Sequence, residues 1–127
     1  MTIEAFWKLI DSARKASGGD PEELCESLRG KLCGLKPGEI VEFQTHLETQ
    51  MARAYAWGLW GAAYVINGGC SDDGVEYFRA WVISRGKDVF EKALEDPDSL
   101  ASVRGLEPEE CELESLMYVA AEAYEEV

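Results

Sequence analysis

The sequence predicts an all-α fold: one compact domain, residues 1–127, in which five to six helices form a bundle around one long central helix. Three observations carry this. Apolar residues recur at steps of three and four, which lines them up on one side of a helix. Capping residues and prolines stand where such stripes begin, and glycines where they end. The chain has 127 residues, 46% of them hydrophobic, enough to build the core of a single domain.

The first helix follows Thr2, a suitable N-cap, and its stripe is Ile3, Phe6, Trp7, Ile10 and Ala13. Ser17-Gly18-Gly19 closes it. Asp20, Pro21, Glu22 and Glu23 restart the chain with a cap, a proline suited to the first turn and acids at the positive helix end. That second helix carries Leu24, Leu28 and Leu32 and stops near Gly34. After Leu35-Lys36-Pro37-Gly38, the long helix is expected to run unbroken from Ile40 to about Asn67. Its seam is Ile40, Phe43, Leu47, Met51, Ala54, Gly58, Gly61 and Val65, with no strand-like alternation. Around Trp57 and Trp60 it is apolar on nearly all sides, the pattern of a helix buried at the centre of its domain.

A Gly68-Gly69 turn then leads to a helix capped at Cys70 or Ser71, with Val75, Phe78 and Val82 inward and Tyr77 and Trp81 beside them. Gly86 ends it. A short helix spans Lys87 to Glu95 with Val89, Phe90 and Leu94 inward, and Asp96-Pro97 stops it. Leu100 to Val103 reads as a single helical or 3₁₀ turn. The last helix is expected to start at Pro108, with Cys111, Leu113, Leu116, Met117, Ala120, Ala121 and Tyr124 on its apolar side.

Charge narrows the function classes. Twenty-five acids against twelve Lys and Arg give a net charge of -13. Such a field opposes nucleic acids and anionic membrane surfaces and favours a basic protein partner. No apolar run reaches the roughly 20 residues of a membrane span, and Met1 to Ile10 lacks the basic start of a secretory signal. The expected compartment is the cytoplasm. Cysteines 25, 33, 70 and 111 form no Cys-x-x-Cys pair and are accompanied by one histidine, so free thiols are expected rather than a zinc site. No metal or cofactor is expected. Phosphate-binding loops, nucleophile elbows and His-Glu-x-x-His motifs are absent from the sequence.

Two stretches stand out as candidate ligand-binding residues. His46, Gln50, Arg53, Trp57, Trp60 and Tyr64 follow one another at four, three, four, three and four residues, a second line along the long helix. Its donors and flat rings suit a planar or anionic ligand, or a peptide, although core and boundary packing also accounts for them. The second stretch is the turn with Ser71, Asp72 and Asp73, followed by Glu76 and Arg79 at helical spacing. Helix capping accounts for the acids, and a clamp by a carboxylate accounts for Arg79. Asp72, Asp73 and Glu76 do not have the alternating spacing of an EF-hand loop.

The chain resembles a bacterial family of unknown function, DUF4240. The resemblance rests on Phe6-Trp7-x-x-Ile10, on Ala54-Tyr55 with Trp57-x-x-Trp60-x-Ala62-Ala63-Tyr64, and on Ile66-x-Gly68-Gly69-x-Ser71-Asp72-Asp73. Phe78-Arg79-x-Trp81-x-Ile83, Asp96-Pro97-Asp98 and Tyr118-Val119-Ala120 continue it over essentially the whole chain. It implies one small domain and carries over no catalytic residue. The reading therefore ranks an interaction or regulatory module first. A domain binding a small anionic or planar metabolite, or a metal, comes second. A hydrolase-type enzyme using His46 with Asp72 or Asp73 comes last. Monomer and homodimer both stay open.

Overall fold

A computed structural model describes residues 1–55, 57–66, 71–103 and 111–127, with only the backbone described at Trp57, Ala101 and Ser102. These residues form an all-α single-domain bundle. Its helices are α1 (Ile3–Ala16), α2 (Pro21–Cys33), α3 (Pro37–Arg53), α4 (Trp57–Ile66), α5 (Asp72–Ser84), α6 (Lys87–Glu95) and α7 (Val119–Glu126). Two 3₁₀ helices, Pro97–Ser102 and Glu114–Tyr118, lie between α6 and α7.

The helix starts follow the sequence closely. Thr2 accepts from the Ala5 amide at 3.1 Å, Asp20 from Glu23 at 2.9 Å and Ser71 from Gly74 at 3.1 Å. Each satisfies an amide that the helix itself leaves unpaired. At the start of α3, Glu39 reaches back to the Lys36 amide at 3.2 Å. Gly86 opens α6 with φ 99°, a left-handed conformation, and a Cβ there would lie 2.5 Å from Asp11 Oδ1. Only glycine fits both conditions.

The expected long central helix is not there. The chain breaks after Arg53, and two shorter helices replace one. No Gly or Pro stands at the break, and tertiary contacts meet the end of α3. In a continuous helix the Met51 carbonyl would accept from the Tyr55 amide. Here Arg79 Nη1 of α5 donates to that carbonyl at 2.6 Å. The Tyr55 amide turns instead to the Ala52 carbonyl at 3.1 Å, which tightens and ends the last turn. The Tyr55 ring then covers the Arg79 guanidinium at 5.1 Å.

The break also moves the centre. Ile40, Phe43 and Leu47 of α3 are buried as expected, but Gly58, Gly61 and Val65 of α4 face outward. Tyr64 is 57% exposed and Val65 80%, so α4, the helix apolar all round, sits at the edge and buries mainly Leu59 and Ala63. The central helix is α5. Val75, Phe78, Ala80, Trp81, Val82 and Ile83 are all buried, and α5 packs against α1, α2, α3, α4 and α6. In α6 the fully buried residues are Phe90 and Ala93, with Val89 and Leu94 only partly covered.

The last helix is shorter than expected. Its expected start at Pro108 lies outside the described residues, as does the Gly68-Gly69-Cys70 turn. Cys111 to Leu113 is not helical, and α7 begins only at Val119. Leu113 donates instead to the Tyr77 carbonyl at 3.0 Å and buries its side chain against the core. Arg79→Met removes the donor on Met51. The expected loss is about 1.5–3 kcal/mol, the range for a hydrogen bond with one charged partner. Urea unfolding checks it, and unchanged stability would show that the helix break does not depend on Arg79.

Candidate functional site

The second line does not survive as one line, because its two halves lie on two helices. His46 Nε2 pairs with the Met1 carbonyl at 2.8 Å, and its ring lies 5.9 Å from that of Phe6. Gln50 is buried, and its Oε1 accepts from Arg53 Nη1 at 2.7 Å. Arg53 also forks onto both oxygens of Glu91 in α6, at 2.8 and 2.9 Å, and lies over Phe90. Trp60 is partly buried and meets Tyr55 edge-on at 5.9 Å. Tyr64 points outward, and the side chain of Trp57 lies outside the described residues.

In the second stretch, Asp72 and Asp73 are exposed in the first turn of α5, where their charge favours the helix dipole. Arg79 is held by a backbone carbonyl and an aromatic face rather than by the expected carboxylate. Of the eight candidates, Arg79 and Trp60 are therefore brought together, joined through Tyr55. His46 and Arg53 fasten α3 to the N-terminal segment and to α6. Among the described residues, no group of three or more His, Cys, Asp or Glu is placed to hold a metal ion.

Concave surfaces lie elsewhere, three of them of about 490, 500 and 600 Å³. Between α3 and α7 runs a groove of about 490 Å³, lined by Val41, Gln44, Glu48, Ala121, Tyr124 and Glu125 among others. Val41 is 53% exposed and Tyr124 52%. The floor is Ile40 and Ala120, which belong to the core. Glu48 and Glu125 stand on its walls, and among the described residues no Lys or Arg lines it. Sequence reasoning missed this site. Its signal was available on α3, where Val41, Gln44, Thr45 and Glu48 share a face at steps of three, one and three. On α7, Ala121 and Tyr124 are exposed beside buried Ala120 and Ala123, although their spacing suits the core.

Cys25 and Cys33 are free thiols. Burial, with Glu22 adding to it, pushes the Cys25 thiol up to about 12. The Cys33 thiol donates to Glu126 at 3.0 Å, and that bond raises its pKa. Both are therefore held as thiols rather than as nucleophilic thiolates.

This bundle, with an open helix–helix groove among its concave features, is a small all-α domain without a recognisable catalytic constellation among the described residues. The chain belongs to the family described as protein of unknown function (DUF4240), which it matches over residues 1–126. No curated protein matches it, and no solved structure does. No helix among the described residues is long and apolar enough to cross a membrane.

The Arg53–Glu91 pair has a defined pH signature. Its hydrogen bonds hold the Glu91 carboxyl below the usual carboxylate range, with the Arg53 and Lys87 charges adding to this and partial burial opposing it. A depressed carboxyl contributes stability above its unfolded pKa, about 4.3, and loses it as pH falls through the folded value. Both side chains are about two-fifths exposed, so screening keeps the contribution below about 1 kcal/mol. Glu91→Gln should show that small deficit at pH 7 and a shrinking one as pH falls below the unfolded value in parallel urea titrations. A deficit that grows toward acid would contradict the assignment.

Proposed function

We propose that the protein is an interaction module whose α3–α7 groove docks a basic amphipathic helix from a partner protein. The observation that carries this reading is an open apolar groove walled by carboxylates in a chain of net charge -13. A third helix laid between two others buries its apolar stripe by ordinary ridge-into-groove packing. Lys and Arg beside that stripe would meet Glu48 and Glu125 while their methylene stems cover Val41 and Tyr124. The surrounding acidic field would speed the encounter and disfavour acidic competitors. The sequence ranking of an interaction protein first, with a basic partner, points the same way. A small metabolite would leave much of so open a groove exposed to water, whereas binding sites for such ligands cover most of the ligand surface.

Selection from a random peptide display library tests this directly. The enriched peptides should carry apolar residues at three-and-four spacing, flanked by Lys or Arg. Ala121→Tyr fills the groove without altering charge and should weaken their binding at least about tenfold, as loss of a central contact does. Glu48→Gln with Glu125→Gln leaves the shape intact and should flatten the salt dependence of binding. Enriched peptides without basic residues, or binding indifferent to Ala121→Tyr, would refute the groove reading.

A further inference from the structure

The net charge is not spread evenly along the chain. Residues 1–36 carry six acids and six Lys or Arg, so the whole of the -13 belongs to residues 37–127, where 19 acids stand against six Lys or Arg. The balanced part builds α1 and α2. Between these helices and the first turn of α3 lies the groove of about 600 Å³. Ala5, Lys8, Leu9 and Ser12 line it from α1, and Lys31 and Leu35 from the end of α2 and the connector after it. The four α1 residues follow one another at three, one and three, so they share one face. That face is about 10 Å long, two helical turns.

Leu9 and Leu35 pack against the core yet are only partly buried, which leaves the groove an apolar floor. Lys8 is exposed, and among the described residues neither Lys8 nor Lys31 forms an ion pair, although acids far outnumber bases in the chain. Glu39 also lines the groove, but its Oε1 accepts from the Lys36 amide at 3.2 Å and is occupied at the start of α3. This groove therefore carries free lysines where the α3–α7 groove carries carboxylates.

Its occupant must be negative and must not press against the acidic remainder of the chain. A membrane surface or a nucleic acid brings many negative charges over a wide area. A single helix brings only those beside the groove. Beyond about 8 Å charges are screened at physiological salt, so such a helix meets Lys8 and Lys31 rather than the net charge. We propose that the α1–α2 groove docks an acidic amphipathic helix from a partner protein. The helix sets apolar residues on Leu9 and Leu35 and Asp or Glu against the two lysines. Lysine suits this position, because its stem covers apolar surface while its ammonium stays in water. The proposal does not rest on the α3–α7 reading: among the described residues the two grooves have no lining residue in common.

Selection from a random peptide display library on the full-length Ala121→Tyr protein, whose α3–α7 groove is filled, tests this. Enriched peptides should carry apolar residues at three-and-four spacing flanked by Asp or Glu. Lys8→Glu with Lys31→Glu should raise the Kd of those peptides at least about tenfold, because two attractions become two repulsions. Ser12→Tyr, at an exposed position, narrows the groove without altering charge and should weaken binding comparably. Circular dichroism checks that both variants fold. On ¹⁵N-labelled protein the peptide should shift the amides of Ala5, Leu9 and Ser12 and leave those of Val41 and Tyr124 in place. No enriched peptide, enriched peptides without acids, shifts away from α1 and α2, or binding indifferent to both variants would overturn the proposal. Acidic peptides bound here, with no basic peptide bound between α3 and α7, would support this site and refute the other.

Discussion

The fold turns on one hydrogen bond between a side chain and a carbonyl. Arg79 of α5 takes the Met51 carbonyl that the next turn of α3 would have used. The end of a helix leaves its last carbonyls without an intrahelical donor, and the Arg79 guanidinium supplies one for Met51. The Tyr55 amide finds Ala52, and the helix ends there. A positive group at the C-terminal end also suits the helix dipole. The same guanidinium is covered by Tyr55, and Tyr55 meets Trp60. One arginine thus meets the end of α3 and joins it to α5 and, through Tyr55, to α4.

That constraint explains why an apolar helix can be peripheral. Hydrophobic content says that a segment has surface to bury, not that it occupies the centre. Once the chain turns after Arg53, α4 leaves the core axis and buries one side, Leu59 and Ala63. The central position falls to α5, whose charges are confined to Asp72, Asp73, Glu76 and Arg79. From Ala80 to Ser84 it is wholly buried. Ser84 is tolerated because its hydroxyl donates to the Trp81 carbonyl at 2.5 Å.

Local chemistry was therefore legible, and the long-range pairing was not. Thr2, Asp20 and Ser71 cap the helices that their positions announce, and Phe6, Ile10, Leu28, Phe43 and Phe78 are buried where periodicity puts them. The run from Ala52 to Ala56 contains good helix formers and no breaker, so propensity extends the helix. The group that meets its end, Arg79, comes from 28 positions away. The candidate site suffered from the same blindness. His46 and Arg53 looked like ligands because their partners, the Met1 carbonyl and Glu91, come from other parts of the chain. Val41 and Gln44 looked like ordinary surface, because a groove exists only once α7 lies beside α3.

In the proposed α3–α7 groove, charge and shape would act over two ranges. Carboxylates at the wall would act over about a Debye length, near 8 Å at physiological salt, and select by sign. They would contribute little discrimination among basic partners, since exposed ion pairs are individually weak. Discrimination among basic segments would then fall to the apolar contacts at Val41, Ala121 and Tyr124, which act only at van der Waals range and depend on shape.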